Sequence, residues 1–525
     1  YLKATGSGGW SDGIHSWQAT VTPGGALKTL IEIKNRFGSD SVSIGSLMQP
    51  VIDAATNGWY IPDHEYDNYR WAVTKSVSPE YNSATHKRMR QIRLPNPNNA
   101  SDYSEIRMQS QDTVRTNADV AALFTKMKAM SDAGADPLDL YFDIADPDSI
   151  ANQLEAMPGS PYTASDMSSW LTDVTPSAEV PVYTVDFFGV EVHQMGPPNQ
   201  GLALLFALNT LQEYVRANFA GATLLDKAAT FSSHYKPDDA EFYLIMFSIM
   251  TAAIGDMRAL SGDPDPDKWS GGFALDTAIS ERLTVSFGAL RASQINKNTF
   301  KPVDNSVTGD LTVGTANTAL MVSADENGLM VSFINSVFWI GGSAIMVGDD
   351  TTGGGVILPC RAWLMDTKPG PNQFDTHKRP FMTNIPAMAT KRDSNGKRIP
   401  YMAMGHMGGG MQPQGIFQEL VDQIVFGMNM QDSLSRPHWL AGSIDAASAV
   451  LTVSVGQGWK AHVVEKLISL GVSFRYQFSN HFGEAQAVTH QTITKNADGT
   501  EANHPYALVV GAAGTLNKDS VAMGV

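Results

Sequence analysis

Thr318-Ala-Leu-Met-Val-Ser323 and Leu329-Met-Val-Ser-Phe-Ile-Asn-Ser-Val337, hinged on Asp325-Glu-Asn-Gly328, form the stretch that decides the fold of this chain. Both flanking runs are apolar or β-branched, and Asn327-Gly328 between them predicts a hairpin. A tight hairpin turn needs positive φ angles, which Asn and Gly adopt most readily. Downstream, strand-like runs recur at 343–347, 355–360, 385–390, 400–404, 448–455 and 506–512, and helical patterns at 415–427 and 459–470. Short strands interleaved with helices predict an α+β layer structure, with sheets covered by helices.

Upstream of the hairpin the chain reads as helix-rich. Pro23-Gly24-Gly25 leads into an amphipathic helix from Ala26 that ends near Gly38, and Ser46 to Thr56 repeats the pattern. Pro197-Pro-Asn-Gln-Gly201 precedes an apolar helix, Leu202 to Val215, and another runs from about 239 to 260. Residues 77–112 and 145–176 are rich in Pro, Asn, Asp and Ser and are expected as surface excursions. Gly262-Asp-Pro-Asp-Pro-Asp267 lacks the glycine-centred spacing of a calcium loop, so a solvated turn is expected.

A chain of 525 residues is long enough to bury a large core, and 43% apolar with 17% charged residues describes a globular protein. Its 53 acidic residues against 37 basic ones give a net charge of −16, which argues against nucleic-acid binding. The one cysteine, Cys360, rules out an internal disulfide and cysteine-based zinc or iron–sulfur clusters. Following Val356-Ile357-Leu358, it reads as a buried, inert thiol. Phe242 to Ile254, the longest apolar run, is too short to span a bilayer. The chain opens Tyr-Leu-Lys-Ala-Thr-Gly, without Met or a signal-peptide pattern, which leaves cytoplasm and periplasm both open.

Generic motifs are sparse. Gly353-Gly-Gly355 lacks the Lys-Ser/Thr of a phosphate loop, no Gly-x-Ser-x-Gly elbow occurs, and no helical His-x-x-x-His pair suggests a metal. His406, beside a glycine run, is expected as a packed or solvent-facing residue.

Several segments in fixed order carry more weight. They are Asp325 to Ser336, Gly342-Ser-Ala-Ile345, Pro371-Asn372 and Lys378-Arg-Pro-Phe-Met-Thr-Asn-Ile-Pro-Ala387. Then come Gly405-His-Met-Gly-Gly-Gly-Met-Gln-Pro-Gln414, Arg436-Pro-His-Trp439 and the closing Asn517 to Gly524. Thr22-Pro-Gly24, Pro50 to Gly58, Pro197 to Gly201 and Gly262-Asp-Pro264 precede them. Together these resemble the γ-glutamyltransferase family of N-terminal-nucleophile hydrolases, most closely its bacterial oxamate amidohydrolase-like branch. The family's extreme N-terminal segment, which carries a substrate-gripping arginine, finds no match before Tyr1.

The resemblance implies a four-layer αββα sandwich and a precursor that cuts itself before Thr318, seven residues ahead of Asp325. A 525-residue chain cut there leaves fragments of 317 and 208 residues, a large helix-rich part and a small part opening with the nucleophile. The freed α-amine, with a pKa of about 7.7–8.0, can take the hydroxyl proton near neutral pH. By the same resemblance Ser336 hydrogen-bonds the nucleophile, Gly408 and Gly409 supply oxyanion-hole N–H groups, and Thr383 contacts substrate. Gln412 and Gln414 fit the branch pattern without an assigned role.

One departure bears on the substrate. Where γ-glutamyl enzymes hold the substrate amine with an acidic residue, this chain offers Arg361 and Leu364. Leucine cannot bind an ammonium, whereas arginine suits a carboxylate. The expected function is therefore self-processing amide hydrolysis of a small anionic substrate, with no cofactor or metal required. γ-Glutamyl transfer or glutathione hydrolysis is the enzymatic alternative, and a non-catalytic binding protein of the same fold is the other. A small-molecule partner is expected, with no nucleic acid and no membrane span, and a homo-oligomer is left open.

Overall fold

The computed structural model describes residues 4–5, 9–10, 25–60, 114–173 and 180–514, with breaks at 148, 157–161, 266–273, 305–308, 312–317, 339–341, 343–345, 348–355, 367–369, 376–377, 478–481 and 493–505. The expected excursion at 77–112, Asn317, the glycine run at 353–355 and the closing segment lie outside these residues. The chain forms two compact units, one of Tyr1–Thr5, Gly9–Glu179 and Val337–Trp363, the other of Gly6–Gly8, Val180–Ser336 and Leu364–Val525.

In the first unit the helices Ala26–Phe37, Ile44–Asn57 and Ala118–Asp132 form as amphipathic stretches gathered around Met48, Met127 and Leu140. The segment 145–176, expected as a surface excursion, instead contains the helices Ile150–Glu155 and Ala164–Asp173. Ser149 caps the first of them by accepting from the Asn152 N–H at 3.3 Å. Ile150, Leu154 and Met167 bury with Phe142, Val347 and Leu358. Helices of six and ten residues are too short for a 3.6-residue period to stand out from polar flanks.

The second unit is built on a six-stranded antiparallel sheet. Its order is Tyr506–Gly514, Glu484–Thr492, Arg398–His406, Ala387–Arg392, Val190–Met195, Val182–Phe187. The last two strands fall in the half expected to be helical. They join through Phe188-Gly189, with φ of 54° and 87°, so a Phe-Gly pair makes the tight turn that Asn-Gly usually marks. A second sheet pairs Gly309–Asp310, Trp439–Ile444, Leu451–Val455 and Val472–Tyr476.

Helices Gly201–Asn218 and Ala240–Arg258 are buried on every side over most of their length and lie in the core. Ala240–Arg258 is long and apolar enough to cross a membrane by composition, but 89% of that window is buried inside the protein. The acidic loop is not a solvated turn at its start. Asp263 is buried and accepts from the Arg379 backbone N–H at 2.6 Å and side-chain Nε at 3.2 Å. Cys360 is buried, as expected.

The expected hairpin forms as Ala319–Ala324 and Met330–Asn335, with Gly328 at φ 95° and Asp325 Oδ1 accepting from the N–H groups of Asn327 and Leu329. It lies flat on the six-stranded sheet at Gly405. A Cβ there would stand 2.6 Å from Leu320 Cδ1 and 3.1 Å from Ile334 Cδ1, so the glycine leaves the space these two side chains fill. Ser332 Oγ donates to Met404 O at 2.9 Å, and Asn384 Nδ2 to Ile334 O at 3.2 Å. Burying Leu320 and Ile334 contributes about 1.5–3 kcal/mol each. Helices on one face of the sheet and the hairpin on the other agree with the α+β class that the sequence implied.

At the far edge of the sheet Glu191 accepts from Arg398 at 2.5 Å, Arg392 at 2.7 Å and Thr390 at 3.1 Å. Arg398 first, with Arg392 and Thr390 adding to it, holds the Glu191 carboxyl at about 2 rather than 4.5, against the opposing effect of burial. A depressed carboxylate pKa contributes stability that is full above 4.5 and fades as the pH falls through 2. Glu191→Gln should lower Tm by about 1–3 °C at pH 7, the arginines being half exposed. Calorimetry across pH should show that gap closing toward pH 2.

Candidate active site

The hairpin carries two of the predicted residues to one place. Ala319 pairs with Asn335 as the last rung of the ladder, so Thr318 and Ser336 stand together one step beyond it. The hairpin also climbs the sheet in register. His490 Nε2, beside the turn, meets Asp325 O at 2.9 Å, Met330 and Val322 pack with Ala403, and Leu320 meets Gly405. Continuing in that direction brings Thr318 toward the residues after His406, where the central strand ends. Thr318 is buried, and its Oγ1 has no hydrogen-bond partner among the described residues. A buried orphan hydroxyl costs about 1–3 kcal/mol, which marks a group held for something other than stability.

Past His406 the chain turns through Gly408 (φ 115°) and Gly409 (φ 59°), conformations that side chains disfavour. The 3₁₀ turn Gly409–Met411 follows and runs directly into helix Gln412–Ile424, with a proline in its first turn. N–H groups at a helix start have no acceptor within the helix and sit at the positive end of its dipole. The Gly408–Gly409 backbone is therefore suited to a developing negative oxygen. Beneath it lies Gly483 (φ 67°), where a Cβ would stand 1.9 Å from Met407 O.

Thr383 is fully buried beside this turn. Gln200 joins the two, its Nε2 donating to Thr383 O at 2.6 Å and Gly409 O at 2.8 Å. Asn199 Nδ2 donates to Asn384 O at 2.6 Å, while Asn384 itself reaches the hairpin. Gln412 Oε1 accepts from Ile385 N–H at 3.0 Å. Gln414 accepts from Ala441 N–H at 2.8 Å and donates to Ala441 O at 3.3 Å. The two glutamines left without a role are thus braces for the loop and the second sheet. In the sequence Asn199 and Gln200 lie in the Pro197 to Gly201 segment, which breaks the chain before a helix and fits the family order, with no role of their own. Nothing local marks them, because their acceptors lie more than 180 residues away.

Thr318, Ser336, Thr383, Gly408 and Gly409 all belong to the second unit. Arg361 belongs to the first, opening the 3₁₀ turn Arg361–Leu364. It is buried, with its guanidinium 5.6 Å from the centre of the Phe338 ring, and burial lowers its pKa to about 10. It stays cationic at neutral pH.

His406 proves to be packed, not solvent-facing. Its Nδ1 lies 2.7 Å from Glu419 Oε1 and its Nε2 2.7 Å from Phe482 O. His438 Nε2 lies 3.3 Å from the same Glu419 oxygen. Burial pushes the Glu419 carboxyl up, but His406 and then His438 outweigh it and hold the value at about 2.

Residues 2–506 match the gamma-glutamyltranspeptidase family. The chain belongs to that family. Its curated relatives include the glutathione hydrolase-like YwrD proenzyme of Bacillus subtilis, 26% identical over 49% of this chain and 42% of that protein. The oxamate amidohydrolase proenzyme of Klebsiella pneumoniae is 30% identical over 38% of this chain and 34% of that protein. The matches thus span less than half the length of these two relatives. Among solved structures, a cephalosporin acylase from Bacillus halodurans superposes with a TM-score of 0.68 at 20% identity, covering 98% of this chain and 81% of that one. At that identity the likeness speaks for the fold alone. The expected family and the α+β fold of N-terminal-nucleophile hydrolases both hold, and an oxamate amidohydrolase is among the relatives matched.

The Gly408 turn depends on the absence of a side chain beneath it. Gly483→Ala should cost about 1–3 kcal/mol through collision with Met407 O. Circular dichroism melts should show the loss, with the Gly405→Ala variant, which meets only flexible side-chain ends, less affected.

Proposed function

We propose that this family member is a self-processing amidohydrolase whose nucleophile is Thr318. The observation that carries the reading is the buried Thr318 hydroxyl, without a hydrogen-bond partner among the described residues, at the open end of a hairpin packed on the strand that leads to the Gly408–Gly409 turn. Cleavage after Asn317 frees the Thr318 α-amine. In each turnover that amine takes the hydroxyl proton as Oγ1 attacks the substrate carbonyl. The Gly408 and Gly409 N–H groups receive the oxyanion and Thr383 borders the substrate; Ser336, which makes no hydrogen bond to Thr318 Oγ1 in the uncut chain, stands beside it to meet the hydroxyl once the α-amine is free. The proton passes to the leaving amine. Water then attacks the ester and releases the acid, restoring the Thr318 hydroxyl.

For the substrate we infer a small amide with an anionic group. Arg361 is the residue proposed to recognise that group, and Leu364 offers nothing to a glutamyl ammonium. The names of the curated relatives include both an oxamate amidohydrolase and glutathione hydrolases, and the Arg361/Leu364 pair favours the former class.

Denaturing mass spectrometry of the 525-residue chain should give fragments of 317 and 208 residues. Thr318→Ala should stay intact and lose at least about 1,000-fold in kcat. Splitting of that variant at the same bond would remove Thr318 from the mechanism. With oxamate as substrate, kcat/KM should rise with pH as the α-amine deprotonates near about 8. Arg361→Leu should raise KM more than it lowers kcat. Brisk turnover of a γ-glutamyl anilide would overturn the substrate assignment while leaving the nucleophile in place.

A further inference from the structure

His406, Glu419 and His438 take no part in the chemistry proposed for Thr318, yet they form a closed ionisable cluster in the second unit. They come from three elements: the strand Arg398–His406, the helix Gln412–Ile424 and the residue before the strand Trp439–Ile444. Their side chains are 0%, 0% and 3% exposed. One ligand-type atom from each lies within 4.8 Å of the other two. Space is kept for this arrangement at Gly415, where a Cβ would stand 2.3 Å from His406 Nδ1.

The hydrogen bonds leave one carboxylate oxygen of the cluster unsatisfied. Phe482 O can only accept, so His406 must carry a proton on Nε2. Its Nδ1, 2.7 Å from Glu419 Oε1, meets the carboxylate either through a proton, as in an imidazolium–carboxylate pair, or through a metal ion in the proton's place. Glu419 Oε2 is buried without a hydrogen-bond partner among the described residues, and an ion between the three side chains would satisfy it; His438 Nδ1, on the far side of its ring, likewise has none and is left for a water. Each such orphan costs about 1–3 kcal/mol.

We propose that His406, Glu419 and His438 bind a divalent transition metal of the zinc class. Two imidazoles and one carboxylate make a borderline donor set that suits zinc and disfavours magnesium or calcium. Tetrahedral ligands at about 2.0–2.1 Å from zinc stand about 3.3 Å apart. His438 Nε2 and Glu419 Oε1 are already 3.3 Å apart, and the 2.7 Å contact from His406 Nδ1 needs only a small carboxylate rotation to open. That rotation turns Oε2 toward the ion as well. The Nε2–H donation from His406 to Phe482 O is the outer hydrogen bond that metal-bound histidines generally make. A cavity of about 20 Å³ lined in part by His438, Gln418 and Asp422 adjoins the site and has room for a water. The role is structural. The ion would tie the end of the central strand, two residues before Gly408, to the helix that follows it.

The test does not depend on the Thr318 reading, because it measures metal and not turnover. The 525-residue chain, and its Thr318→Ala variant, are refolded with zinc sulfate, dialysed against metal-free buffer and assayed by elemental mass spectrometry. One zinc per chain is expected in both, with cobalt substitution giving the intense visible band of a tetrahedral site. Glu419→Gln and His438→Ala should weaken zinc binding by about 100-fold or more, beyond the 10–100-fold typical of changes to a ligand's outer partner. Zinc should raise Tm in the parent chain and not in those variants. A folded parent chain that retains less than about a tenth of an equivalent overturns the proposal, leaving a metal-free His–Glu–His network. So does undiminished zinc binding in a folded His438→Ala variant. Should either variant fail to fold, the cobalt spectrum of the parent decides alone: a six-coordinate or absent signal refutes the site.

Discussion

The close packing of one apolar hairpin on the central strand is the contact around which this structure is built. The hairpin rests on the central strand at Gly405, with Leu320 and Ile334 filling the space a Cβ would occupy. Strand residues alternate in direction, so Gly405 faces the hairpin while His406 faces the helix behind the sheet. One residue pair thereby serves both layers. The same approach fixes the height of the hairpin on the sheet, and with it the position of Thr318 relative to the glycine turn. Movement of this contact by one residue would reverse the hairpin's faces and expose Leu320 and Ile334.

Around that contact the protein uses neutral amides where charges would be costly. Gln200, Gln412, Gln414 and Gln418 are all buried, and each bonds to backbone groups of a distant segment. An amide offers a donor and an acceptor without the desolvation penalty of an ion. Such side chains hold irregular backbone in place, which matters most at Thr383 and Gly409, where no ladder of strand bonds does so. Glu419, held between His406 and His438, is the charged exception beside the strand end, and two other buried ionic contacts join separate segments. Arg291 and Asp256 form a buried bidentate pair beneath the helical layer, and Asp263 anchors Arg379.

The parts of the site that could be read from the chain were those with local signatures. Asn327-Gly328 marked the hairpin, and Gly408-Gly409 marked a turn that only glycine makes comfortably. The order of the motifs was enough to indicate the family, and residues 2–506 match it. The unreadable parts are the partners that meet only after folding. Glu419 is thirteen residues from His406 and His438 nineteen from Glu419, spacings that match no helical or strand period. The strands Val182–Met195 were missed because their turn is Phe-Gly, and the helices at 150–173 because they are short.

By itself the sequence determined which segments could become strands or helices, where backbone must pass through positive φ, and which hydroxyl stands at the start of a strand. Those properties depend on a few neighbouring residues and the period of their apolar side chains. Only the tertiary structure decided that Gln200 links Thr383 to Gly409, that Asp263 is buried, and that two histidines enclose one glutamate. Each of these joins groups from separate elements, and their distances are set by how the layers pack, a quantity that no local pattern of residues contains.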